Sequence, residues 1–151
     1  MKAKEYLEQY TKFDPIIVNK FYEAEQWDAL ASSITAQMNG ERVQSSGNQQ
    51  KMEDAIIKSV DIKEQIKKLI DTKKEIVKTI ESLPLAEYEI LHKVYIQGKS
   101  FKVIEVETGN SYSWVTTVHG RALQAVQRIL DERKVRNEYS CDRFQMGKRQ
   151  E

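Results

Sequence analysis

The chain is 151 residues long with a formal net charge of +1, is 40% apolar and 31% charged, and holds two prolines, six glycines and one cysteine. That length suits one domain, or a small domain with a helical extension, and the scarcity of helix breakers favours an all-helical protein. The lone Cys141 excludes an intramolecular disulfide framework, no apolar run is long enough for a bilayer, and the N-terminus lacks the basic-then-apolar order of a signal peptide, so a cytoplasmic protein is expected.

Residues 2–13 carry Tyr6, Leu7, Tyr10 and Phe13 at helical spacing. They end at Asp14 and Pro15, where an aspartate can cap and a proline can open a new helix, so a helical pair is expected. The second member, from Pro15 to about Met38, aligns Ile17, Phe21, Ala24, Trp27, Ala31, Ile34 and Met38 on one stripe, with Glu23, Glu25 and Asp28 elsewhere on its circumference. Residues 39–50 lose periodicity and gather Gly40, Ser45, Ser46, Gly47 and Asn48, which reads as a loop.

From about Gln49 to Leu83 the pattern is helical without a breaker. A heptad places Met52, Ser59, Ile66, Lys73 and Ile80 at one seam position and Ala55, Ile62, Leu69, Ile76 and Leu83 at the other. Ile56, Ile70 and Val77 widen the stripe, and Asp54 with Lys58 and Glu64 with Lys68 suit supporting pairs. Such a helix either packs back on the Pro15–Met38 segment or joins a copy of itself. Self-association through Ile62, Ile66, Leu69, Ile76 and Ile80 is the favoured expectation, and the two arrangements are compatible in a helical dimer.

Pro84 opens the next helix, whose Ile90, Leu91, Val94 and Tyr95 share a face and which Gly98 stops. Ser100 is placed to cap a short helix with Phe101 and Ile104 on its buried side and Val103 as a further candidate. Gly109 supplies a residue tolerant of left-handed backbone angles, and Ser111 can cap the helix after it. In that last helix Val115, Val118, Ala122, Leu123, Val126 and Leu130 repeat toward the core. Ser111, Tyr112, Ser113, Trp114, Thr116, Thr117, Gly120 and Arg121 are left for other surfaces, and these are the residues a DNA groove would meet. After Leu130 the apolar pattern thins to Val135, Tyr139, Phe144 and Met146, and residues 131–151 read as a charged tail, either frayed or a basic arm that touches backbone phosphate or a partner subunit.

The stretch from Leu83 to Leu130 resembles region 4 of bacterial sigma factors, and in particular the sigma-region-4-like half of phage and prophage regulators of the ArpU/RinA late-transcription type. Ser100, Phe101, Lys102, Val103, Ile104 and Glu105 match the first helix of that family's helix-turn-helix, Gly109 and Ser111 its turn, and Val115, Val118, Arg121, Ala122 and Leu123 its second helix. Glu105 stands where a small residue is usual, Thr108 where leucine is usual, and Asn110 replaces an apolar turn residue. The exposed second-helix positions, often Arg, Lys and Gln in the family, are Tyr112, Trp114, Thr116, Thr117 and Gly120.

The resemblance covers about the last third of the chain; together with the spacing of the rest it gives an all-α chain in three parts. An N-terminal helical pair plus a long coiled-coil-like helix occupies residues 1–83 and serves oligomerisation. A helix-turn-helix domain of sigma region 4 type spans 84–130, and the tail follows. It implies a sequence-specific regulator of phage or mobile-element genes that binds double-stranded DNA as a homodimer, reading half-sites about one helical turn apart or a multiple of it. Lys99, Ser100 and Lys102 would hold phosphate, while Tyr112, Ser113, Trp114, Thr116 and Thr117 would read base edges. Trp114 suits either the groove or a cover over the short helix.

Charge supports that reading only weakly, because the net charge runs from −2 over residues 1–48 to +1 in each of 49–83, 84–130 and 131–151. Nucleic-acid affinity draws on clustered cations, so Lys99, Lys102, Arg121, Arg128, Arg133, Lys134 and Arg136 would have to share one side. Two other classes stay open: a module that binds RNA polymerase, as region 4 of sigma factors does, and a packaging protein similar to a small terminase subunit, which should form a ring. No enzyme is expected. His92, His119 and Cys141 make no local metal motif, and Gly98, Lys99 and Ser100 end like a phosphate loop whose required glycine is replaced by Lys93. His119 reads as an ordinary surface histidine in preference to a pH sensor or a phosphate contact.

Overall fold

The computed structural model describes residues 1–40 and 46–146, with the side chains of 1–37 and 47–138. All of its regular elements are helical: α1 (Ala3–Gly40), α2 (Ser46–Glu81), α3 (Leu85–Leu91), which runs on into a π-helical turn at His92–Ile96, α4 (Phe101–Thr108) and α5 (Tyr112–Met146). They form two compact units, one of residues 1–11 and 75–151, the other of residues 12–74.

Three expectations are corrected. The helical pair divided at Pro15 is a single helix, with Pro15 inside α1. Asp14 does not cap a new helix there, because its carboxylate is held by the Lys73 ammonium. An internal proline forfeits one helical hydrogen bond at a cost of about 3 kcal/mol. Burial on both sides offsets this, at Leu7 in one unit and at Ala24, Ala31 and Ile34 in the other.

The loop is also shorter than residues 39–50: α1 reaches Gly40 and α2 begins at Ser46. Hydrogen bonds from Gln49 to Glu53 at 3.2 Å and from Gln50 to Asp54 at 3.1 Å carry helical order back through a segment whose composition suggested a turn. Residues 41–45 lie outside the described ones. Finally, the tail expected from residue 131 continues α5 as far as Met146. The side chains of Tyr139, Cys141, Phe144 and Met146 lie outside the described residues.

In the unit of residues 12–74, α1 and α2 run antiparallel. Lys20 Nζ donates to Gln65 at 2.6 Å, Ser59 Oγ to Asp28 at 2.5 Å, and Thr35 Oγ1 lies 3.1 Å from the Met52 sulfur. Lys63 and then Ser59 hold the Asp28 carboxyl below the ordinary carboxylate range. Glu64 pairs with Lys68 as its spacing suggested, but Lys58 instead lies 4.3 Å over the Trp27 ring.

The seam assigned to a second copy is filled within the chain. Ile66 is buried and Ile62 and Leu69 are half-buried in this unit, while Ile76 and Ile80 are fully buried in the other. An apolar heptad specifies that something packs on it and leaves open what does so; here the chain itself does.

In the unit of residues 1–11 and 75–151, two apolar clusters lie on either side of α3. One gathers Tyr6, Leu7, Ile76, Ile80, Leu91, Tyr95, Ala122 and Val126, and the other Ile90, Ile104, Val115 and Val118, with Phe101 and Val94 packed against it. Each fully buried leucine or isoleucine contributes about 1.5–3 kcal/mol, so these clusters position α4 and α5. Val103, a candidate for the buried side of α4, is 44% exposed, because Ile104 and Phe101 already fill the facing groove.

Candidate nucleic-acid interface

The junction of α4 and α5 is built from local caps. Ser100 has extended backbone angles and its hydroxyl accepts from the Val103 amide at 3.4 Å, which satisfies a free donor of the first turn of α4. Gly109 closes that helix in the left-handed region, at φ 69° and ψ 9°. Thr108 Oγ1 donates to the Ile104 carbonyl at 2.7 Å and accepts from the Asn110 amide at 3.4 Å, so its hydroxyl bridges the turn.

Two side chains then cap α5. Ser111 Oγ accepts from the Trp114 amide at 3.2 Å, and Glu105 Oε1 reaches across from α4 to accept from the Tyr112 amide at 3.2 Å. The Glu105 carboxylate is therefore part of the turn.

The first turns of α5 present Tyr112, Ser113, Trp114, Thr117, Gly120 and Arg121 to solvent, with Thr116 half-buried. Tyr112 and Trp114 are 46% and 37% exposed, and Tyr112 stands edge-on to Phe101 with ring centroids 6.1 Å apart. The hydroxyls of Thr116 and Thr117 both donate to the Ser113 carbonyl, at 2.9 and 2.8 Å. Both hydroxyl hydrogens are thereby committed to the helix's own backbone, which leaves their oxygens as acceptors.

The cations of the candidate site are mostly engaged. Lys99 and Lys93 converge on Glu107 at 2.7 and 2.9 Å. Lys99 and then Lys93 pull the Glu107 carboxyl below its ordinary range, and Glu107 in turn raises Lys93. Arg121 Nε lies 2.5 Å from Oε1 of the buried Glu87. Among the described residues Lys102 forms no ion pair, and it is exposed. Glu87, Glu105 and Glu107 are thus the site members that sequence reasoning passed over. Glu87 and Glu107 pair with cations 34 and 8 residues away, separations that no helical spacing announces.

His119 is not an ordinary surface histidine. It is half-buried, with Nε2 3.1 Å from the Tyr95 hydroxyl, its ring stacked on Tyr95 and edge-on to Phe101 at 4.9 Å. Burial first, and Lys4 second, hold its pKa below the usual value, while burial together with Glu8 pushes the Tyr95 hydroxyl up to about 12. Among the described residues no group of three or more His, Cys, Asp or Glu side chains could hold a metal ion, and no helix is long and apolar enough to cross a membrane. Set against protein-family models, curated proteins and solved structures, the chain has no match in any of the three comparisons.

Proposed function

We propose that α3 to α5 form a helix-turn-helix of the sigma region 4 type, and that the protein is a sequence-specific DNA-binding regulator whose α5 enters the major groove. The observation that carries this reading is the capped left-handed turn at Gly109, which joins a short helix to a second helix whose first turns expose Tyr112, Ser113, Trp114 and Thr117. The methyl groups of Thr116 and Thr117 and the Trp114 ring suit contact with thymine methyls, and Lys102 at the start of α4 suits a phosphate. The resemblance to late-transcription regulators extends the reading to phage or mobile-element genes and to a dimer on paired half-sites.

The test is sequencing of DNA fragments retained by the purified protein at moderate salt, followed by footprinting with a Tyr112→Ala, Thr117→Ala double variant. A shared motif whose footprint is lost in the folded double variant supports the reading; an unchanged footprint sinks it.

A second reading has an observation of its own. Val103 and Val106 on α4 are 44% and 83% exposed beside the aromatic start of α5, and Lys99 and Arg121 are neutralised within the chain. Such a surface suits a protein partner such as RNA polymerase. Recovery of polymerase from nuclease-treated extract, lost on Val106→Glu substitution, would favour it.

A further inference from the structure

Three charged side chains meet beside the start of α4. Glu107, in the last turn of that helix, accepts from Lys99 at 2.7 and 3.0 Å and from Lys93 at 2.9 Å. Lys99 stands just before α4 and Lys93 in the π-helical turn, so one carboxylate gathers cations from outside its own helix. The contacts cover what they join. The Lys93 and Lys99 side chains are 17% and 31% exposed, whereas Lys102, without an ion pair among the described residues, is open to solvent.

Helix geometry sets the direction of the pull. Glu105 and Glu107 are two residues apart, which is about 200° around a helix of 3.6 residues per turn. Glu105 turns toward α5, where it accepts from the Tyr112 amide. Glu107 therefore turns away from that contact and draws the Lys99 ammonium to the flank it shares with Lys93.

Charge then limits what these lysines contribute to a complex. A lysine that neutralises a phosphate releases condensed counterions, and that release supplies the sequence-independent part of DNA affinity. A lysine already paired with a carboxylate releases less, and a phosphate that took it would come to rest against the Glu107 anion. The two lysines hold the Glu107 carboxyl below its ordinary range, so it stays charged at neutral pH. The pair of Glu87 and Arg121 differs in kind, because its acid is buried and its loss disturbs the fold, whereas Glu107 lies at the surface and can be neutralised at small cost.

We infer that Glu107 is a specificity-determining residue of the DNA-binding unit: it withholds Lys93 and Lys99 from backbone phosphate, so that binding depends on the base-facing surface of α5 more than on charge. This role rests on the DNA reading. Neutralising Glu107 raises affinity for any duplex and weakens the preference for one sequence.

The test is binding of the full chain to a labelled random-sequence duplex, followed by anisotropy between about 50 and 200 mM salt. Glu107→Gln, which keeps the shape and helix propensity of glutamate, is expected to bind about tenfold more tightly at the low-salt end. Its plot of log affinity against log salt should steepen by about 0.9 for each lysine released, up to about 1.8. Adding Lys93→Gln and Lys99→Gln should remove the gain, and Glu53→Gln, the same change of charge in the unit of residues 12–74, should give none. Fragments selected from a random pool should share a motif less strongly with Glu107→Gln than with wild type. With helical circular dichroism intact, an unchanged slope in Glu107→Gln overturns the proposal and leaves the DNA reading standing. So does a gain that Glu53→Gln reproduces or that outlasts the two lysine substitutions, or an equally strong motif from both proteins. Failure of wild type to select any motif overturns the DNA reading, and this role with it.

Discussion

The Glu105 carboxylate accepts a hydrogen bond from the Tyr112 backbone amide at 3.2 Å, so α4 supplies a cap for the helix that follows it across the Gly109 turn. An acid at a helix N-terminus satisfies a free donor and opposes the positive end of the helix dipole. Glu105→Ala should therefore lower stability by about 1 kcal/mol, while Glu105→Gln keeps most of the bond. Thermal unfolding of the two variants checks this; equal losses would mean that the side chain acts through something other than the cap.

Arg121 and Thr117 are neighbours on the exposed face of α5 with unequal structural duties. Removing Arg121 leaves the carboxylate of buried Glu87 without its 2.5 Å partner. Arg121→Ala should cost about 1–2 kcal/mol in urea unfolding, and Thr117→Ala, whose hydroxyl only bonds its own helix, less than about 0.5 kcal/mol. Loss of DNA binding in Arg121→Ala thus needs a stability control, which Thr117→Ala does not. Equal stability of the two variants would contradict the assigned roles.

Gly120 sits within α5 at an ordinary helical position, and a Cβ built on it meets nothing within 4 Å. Helix propensity then governs, so Gly120→Ala should raise stability by about 0.5–1 kcal/mol. If the position is glycine because a DNA backbone comes close, the same variant should bind DNA more weakly while melting higher. A variant that is more stable and equally active would place Gly120 outside the interface.

His119 links stability to pH. Its pKa is lowered in the folded state from 6.5, so below about 6.5 the unfolded chain takes up protons that the folded chain resists. Its contribution is fully present above 6.5 and is lost as pH falls through the folded value. Urea midpoints should decline from pH 7 to pH 5 more steeply in wild type than in His119→Gln. Parallel declines in the two proteins would show that carboxylates alone set the slope.

Much of the α3 to α5 region was legible before its structure, because its devices act over two to four residues. The Ser100 and Ser111 caps, the left-handed Gly109 and the buried positions Ile90, Ile104, Val115, Val118, Ala122 and Val126 all lie where helical spacing and cap chemistry put them. The surface was less legible. Tyr112 and Thr117 are exposed as spacing required and Trp114, left open by the sequence, is exposed as well, but the charge around them depends on Glu107 and Glu87, which fold onto Lys99 and Arg121 from elsewhere.

Local chemistry was enough for the all-helical class, the short helix between Gly98 and Gly109 and the apolar stripes. Three matters passed to long-range packing. Pro15 stays inside α1 because burial on either side outweighs a local cost of about 3 kcal/mol. The α2 seam closes within the chain, since a heptad stripe is equally satisfied by any apolar neighbour and α1 is tethered beside it at high effective concentration. His119 becomes a half-buried base rather than a surface one because Tyr95 and Phe101, distant in sequence, meet around it. Helical periodicity states which face of an element is buried, and only the assembled core determines what it is buried against.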